Sequence, residues 1–106
     1  MKKLLYINQK DRAKLRTVRS VAILQRIRLE EIPEEEVREL PEDAEMMRMS
    51  GFTGEEMRQF LGALRRNGVT VDLKCVETET NREWRLKRLY EELLEEHTTM
   101  NNRKEQ

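Results

Sequence analysis

PEEEVREL, residues 33–40, decides how the two halves of this chain can sit together. A proline followed by three acids is how a helical first turn begins, yet Pro41 closes the stretch at once. It barely reaches the dozen or so residues that a parallel crossover requires. Taken as a crossover helix, it joins two parallel units into a small doubly wound sheet. Taken as a connector, it joins two units of a mixed-class α+β fold with an antiparallel sheet. The connector is the expectation adopted here.

Upstream, KKLLYI (residues 2–7) has the short apolar run of a buried strand. From Lys10 to about Leu24, Leu15, Val18 and Ala22 fall at helical spacing, and RIRLEEIP (residues 26–33) then alternates Ile27 and Leu29 with charged residues, as an edge strand does. Downstream the pattern recurs. AEMMRM (residues 44–49) is a strand, Ser50-Gly51-Phe52 a turn, and Thr53 with Glu56 a capping box in which each side chain takes the other's free backbone N–H. Met57, Phe60, Leu61 and Leu64 form the apolar stripe of the helix, which Asn67-Gly68 stops. VTVDLKCV (residues 69–76) alternates like a half-buried strand.

An ungapped shift of 42 lays Leu15 on Met57, Val18 on Phe60, Ala22 on Leu64, Ile27 on Val69 and Leu29 on Val71. Two strand-helix-strand units follow. The expected fold is a ferredoxin-like two-layer plait: an antiparallel four-stranded sheet, helices on one face, the other face wet, and an added C-terminal helix. The small parallel doubly wound α/β fold is the alternative. Residues 1–98 are expected to form one domain, with residues 99–106 as a flexible tail.

Apolar residues make up 37% of the chain and charged residues 40%, with zero net charge. Residues 1–28 nevertheless hold nine Lys/Arg against one acid, and residues 29–45 hold nine acids against one Arg. Such blocks either neutralise each other across the fold or meet partners, and mutual neutralisation is the expectation. No run is long and apolar enough for a membrane span, and the N-terminus turns polar too early for a signal peptide, which leads to a cytoplasmic location. Cys75 and His97 are each the sole residue of their type. That excludes a disulfide within the chain and a cysteine-based zinc cluster, and Cys75, inside an alternating strand, is expected to be a buried inert thiol.

TETNREW (residues 78–84) brings two threonines, an asparagine and the sole tryptophan together where the last strand gives way to a helix. Thr80 and Glu83 repeat the T-x-x-E spacing, so a second capping box is expected there. Trp84 stands well off the stripe made by Leu86, Leu89, Tyr90, Leu93 and Leu94, and either plugs the end of the sheet or offers a ring platform. Lys74, Thr78, Thr80, Asn81 and Trp84 are therefore the candidate ligand-binding residues, for an anion or nucleotide held by free N–H groups at the helix start.

MMRMSGF, LGALRRNGV, LKCVETETNREW and LYEELLEEH resemble a small bacterial family of uncharacterised cytoplasmic proteins, found mainly in anaerobic Gram-positive bacteria, with a hallmark close to LKAVxTxTNxxW. The resemblance covers residues 45–97. The hallmark falls on Leu73, Lys74, Val76, Thr78, Thr80, Asn81 and Trp84. The family implies no activity, so it points to a place and not to a ligand.

The leading functional expectation is a non-enzymatic ligand-binding or regulatory module whose partner is an anionic small molecule or a protein. A protein-interaction domain that homodimerises through a sheet face or edge comes second, with Met46, Met47 and Met49 as adaptable contacts. RNA binding comes third, because the pair of strand aromatics that stacks bases is missing, and nucleic acid is not the expected partner. No catalytic residues, metal site or cofactor are expected: the carboxylates lie in solvated runs, and neither a Ser/His/Asp set nor a phosphate-cradling glycine loop is present.

Overall fold

The computed structural model describes residues 1–105, with side chains described through residue 99. Residues 100–106 of the expected tail lie outside the described side chains. The elements run β1 (Lys3–Asn8), α1 (Arg12–Leu24), β2 (Arg28–Leu29), α2 (Glu34–Val37), β3 (Glu45–Ser50), α3 (Gly54–Arg66), β4 (Lys74–Val76), a 3-10 turn (Asn81–Glu83) and α4 (Leu86–Glu105).

The four strands lie in the order β2-β1-β3-β4. β1 and β3 pair antiparallel at the centre, whereas β2 is parallel to β1 and β4 is parallel to β3. The fold is therefore mixed α/β with an open sheet, and the expected all-antiparallel plait does not form. In a plait each unit straddles a strand of the other. Here each strand-helix-strand unit closes on adjacent strands of its own. Residues 30–44 carry the chain from β2 past β1 to β3, so PEEEVREL neither makes a tight connection nor a parallel crossover.

The internal repeat is visible in the central register. Leu4 pairs with Met49 and Ile7 with Met46, and a shift of 42 exchanges these two pairs. A pseudo-two-fold axis thus passes between β1 and β3. It also relates Arg26 (φ 59°) to Gly68 (φ 75°), the left-handed residues that end α1 and α3. The repeat slips after that. Lys3 pairs with Arg28, 25 residues on, and Met47 with Lys74, 27 residues on. Val71 consequently lies ahead of β4, while its counterpart Leu29 is in a strand. β4 is shorter than the alternation of residues 69–76 suggests.

Both faces of the sheet are covered, which overturns the expectation of one wet face. On one side Leu4, Tyr6, Met47 and Met49 pack under Val18, Ala22, Phe60 and Leu64 of α1 and α3. On the other, Leu5, Ile7, Met46 and Leu73 pack under Leu86, Leu89 and Leu93 of α4, with Leu40 and Ala44 from the long connection. The unbroken burial of residues 4–8 and of residues 46–50 is the mark of strands covered on both sides.

Local signals behave as the chemistry requires. Asp11 caps α1 by accepting the N–H of Lys14, and the Thr53–Glu56 box caps α3 with both reciprocal bonds present. Gly51 (φ 75°) turns the chain where a Cβ would stand 2.6 Å from the Met1 carbonyl oxygen, so only glycine fits. Among the described residues no helix is long and apolar enough to cross a membrane.

Candidate functional site

β4 is an edge strand whose residues alternate between the two layers. Lys74 pairs with Met47 and so stands on the α1/α3 face, while Cys75 pairs with Arg48 on the α4 face. The five candidate residues therefore do not converge. Lys74 faces one side of the sheet, and Asn81 and Trp84 serve the other.

On the first side, a cleft of about 250 Å3 opens between α3 and the approach to β4, lined by Leu61, Leu64, Val69 and Val71, with Arg65, Thr70 and Lys74 around them. The Lys74 ammonium donates to the Val71 carbonyl (2.9 Å), which folds the side chain back over this cleft. The nearby carbonyls of Ala63, Leu64 and Arg65 are bonded by the N–H groups of Asn67, Gly68 and Val69. The negative end of α3 is blunted as a result.

On the second side the hallmark builds a latch. The Thr78 N–H donates to Asn81 Oδ1 (2.8 Å), and the Asn81 N–H donates to Thr78 Oγ1 (3.0 Å). This is the reciprocal geometry of a capping box, found two residues earlier than expected. Thr80 makes no side-chain cap bond. Asn81 Nδ2 donates to the Val76 carbonyl (3.1 Å), and the Asn81 carbonyl accepts from Arg48 Nη1 (3.0 Å). A donor from the chain's own turn thus covers an outward carbonyl of the edge strand, which hinders pairing with a further strand.

Arg48, unnoticed in the sequence, is the hub of that latch. It sits in the centre of β3 at 7% exposure. Its Nη2 lies 3.8 Å from Glu30 Oε1, while Arg48 Nε, Glu30 Oε2 and Ser50 Oγ have no hydrogen-bond partner among the described residues. The one available signal was an arginine between methionines in EMMRMS, a charge inside a run of buried residues. Burial pushes the Cys75 thiol up, opposed by the Arg48 charge and aided by Glu96, so the sulfur stays a protonated thiol.

Trp84 is half-buried against the second core, with the Arg88 guanidinium 4.4 Å from the ring centroid. The start of α4, where an anion was expected, is already occupied from within. The Leu86 N–H donates to Glu36 Oε1 (2.9 Å), and Arg85 forks onto Glu39 with bonds of 3.3 and 3.2 Å. Glu36 and Glu39 come from PEEEVREL, so the acidic block supplies the cap that Thr80 does not. Glu77 is engaged by Arg82 at 3.5 Å, and Glu79 is exposed. Among the described residues, no three His, Cys, Asp or Glu side chains gather as metal ligands.

The family model of a domain of unknown function, DUF3783, matches residues 45–100. That span holds β3, α3, β4 and most of α4, and with them the cleft, Arg48 and the Thr78–Asn81 latch. No curated protein and no solved structure matches the chain.

Proposed function

The chain belongs to the DUF3783 family of domains of unknown function, and from that premise we propose that it is a non-enzymatic binding module for a small anionic molecule with an apolar body. The cleft beside α3 is the site. One observation carries this reading: Arg65 and Lys74 stand over a floor of four aliphatic side chains, and among the described residues no carboxylate lines the cleft. Of the five hallmark candidates, Lys74 is assigned to the ligand. Thr78 and Asn81 hold the turn that follows β4, and Trp84 packs on the far face.

The chemistry fits a carboxylate or phosphate group. One Lys74 ammonium proton is committed to the Val71 carbonyl, which leaves two for a ligand, and Arg65 adds a planar fork. The Thr70 hydroxyl supplies a further donor or acceptor. A cleft of about 250 Å3 lies at the small end of ligand sites, so the apolar part must be short.

Thermal-shift screening against short aliphatic and aromatic carboxylates, inorganic phosphate and nucleotides tests the reading. A ligand at 100 times its Kd stabilises by about 2.7 kcal/mol. The shift is expected to vanish in Lys74→Ala, whose own melting temperature stays near the parent's. Trp84 fluorescence is expected to stay constant, because the tryptophan lies across the sheet. A ligand that changes Trp84 emission and still binds Lys74→Ala would place the site at the turn instead. Silence across the whole panel would remove the binding function.

A second reading, self-association, rests on Ile23 (65% exposed) and Leu24 (82% exposed) at the end of α1. Sedimentation of the parent and of Ile23→Ser/Leu24→Ser separates it from the first.

A further inference from the structure

The acids of the N-terminal half are not all answered by its bases. Glu45 meets Lys14 at 2.7 Å, but Glu36 and Glu39 turn to the Leu86 N–H and Arg85. Among the described residues Glu30 keeps only the long contact of 3.8 Å with Arg48, and its Oε2 accepts no hydrogen bond. Glu30 stands where the chain rounds the edge of the sheet, so that Leu29 packs on the first core and Ile32 on the second. A cleft of about 190 Å3 opens there, lined by Leu4, Tyr6, Leu29 and Ile32, with Arg19 of α1 and Glu30 beside them. Arg19 is exposed, and among the described residues it forms no ion pair with Glu30 or with any other acid. Two opposite charges thus share one cleft without meeting.

We propose that this second cleft binds a small free α-amino acid with an apolar side chain, its carboxylate on Arg19 and its ammonium on Glu30. The proposal is independent of the cleft beside α3 and of its ligand. The two clefts occupy corresponding places in the repeat, since a shift of 42 lays Arg19 on Leu61, Leu29 on Val71 and Ile32 on Lys74. Their charges do not correspond. The first cleft holds Arg65 and Lys74, and a simple anion satisfies it. The second holds one charge of each sign over an apolar floor, so a simple anion would leave Glu30 unanswered and a simple amine would leave Arg19 so.

Each group has capacity to spare. A carboxylate accepts about four hydrogen bonds, and the broad terminal torsion of a glutamate presents either oxygen to an arriving ammonium. The Arg19 guanidinium forks onto a ligand carboxylate. Tyr6 contributes its ring to the floor, because its hydroxyl is already committed to Glu45 (2.6 Å). At about 30 Å3 per water the cleft has room for roughly six water molecules, which suits an amino acid with a short side chain such as valine. Within a peptide neither charge survives, and a peptide terminus carries just one of them. The free amino acid is therefore favoured over a peptide.

Titration of the isotope-labelled protein with L-alanine, L-valine and L-leucine, followed by amide NMR shifts, tests the proposal. Binding is expected, with the shifts centred on Leu29, Glu30 and Ile32. Isobutylamine and isovalerate are valine without its carboxylate and without its ammonium, and each is expected to bind at those residues about tenfold or more weakly, as the loss of a hydrogen bond between charged groups implies. Arg19→Gln, on the exposed side of α1, is expected to weaken valine by a similar factor with the melting temperature unchanged. Glu30→Gln is expected to do the same, with circular dichroism confirming the fold. Lys74→Ala is expected to leave valine binding intact, so that failure of one cleft is separable from failure of the other. The proposal is overturned by shifts centred on Val71 and Lys74, by an affinity indifferent to Arg19→Gln, or by either truncated analogue binding at Leu29 and Ile32 as tightly as valine. Silence from all three amino acids at millimolar concentration overturns it as well.

Discussion

Replacing Asn81 by alanine tests the central structural claim about the hallmark, that it is a latch on Arg48. The substitution removes two side-chain bonds, from the Thr78 N–H (2.8 Å) and to the Val76 carbonyl (3.1 Å). Each bond of this kind contributes about 0.5–1.5 kcal/mol net. Thr78 and Val76 are exposed enough for water to replace part of the loss. Arg48 is not: its side chain is 9% exposed, and once the turn frays its nearest remaining partner is Glu30 at 3.8 Å. A buried charge that loses its partner is costly. The expected total is therefore about 2–3 kcal/mol, a large part of the roughly 5–15 kcal/mol that holds a domain of this size. Thr78→Ala removes one bond and should cost about 1 kcal/mol. Thr80→Ala removes none and should cost under about 0.5 kcal/mol. Urea melts of the three variants, compared at constant m-value, give the ranking directly. If Thr80→Ala costs as much as Thr78→Ala, or Asn81→Ala less than about 1 kcal/mol, the latch is wrong and the capping box at Thr80 and Glu83 is restored.

Leu89, 1% exposed on the sheet-facing side of α4, should cost about 2–5 kcal/mol when cut to alanine, whereas a sheet with one wet face would barely register the change in a urea melt. Arg26→Gly should raise the melting temperature, because a left-handed arginine is strained by about 1–2 kcal/mol and glycine gives back only part of that through unfolded-state entropy; a fall would mean the Arg26 side chain holds the turn. Burial, and then the bond to Glu45, push the Tyr6 phenol well above its ordinary value. Its neutral form is favoured in the folded state, so its contribution is complete below the unfolded value of about 10 and is lost as pH rises beyond it. Alkaline melts should therefore show stability falling from about pH 10 upward, less steeply in Tyr6→Phe.

The helices were legible because their signals are local. The Thr53–Glu56 box, the apolar stripe of Phe60, Leu61 and Leu64, and the left-handed stop at Gly68 each involve groups within a few residues of one another. The spacing of 42 marked two similar units, and the structure adds that their first strands pair about a two-fold axis. Strand order was not legible. It depends on where residues 30–44 lead the chain and on α4 covering the second face, and both are matters of long-range burial that alternation within one strand does not encode. The same holds for the site. The residue types of TETNREW marked the turn, but the Thr80–Glu83 spacing named the wrong pair, because Asn81 is held by Arg48 from a strand 33 residues away and Glu36 caps α4 from 50 residues away. A helix start offers the same free N–H groups to any acceptor, and which acceptor arrives is decided only when the whole chain has folded around them.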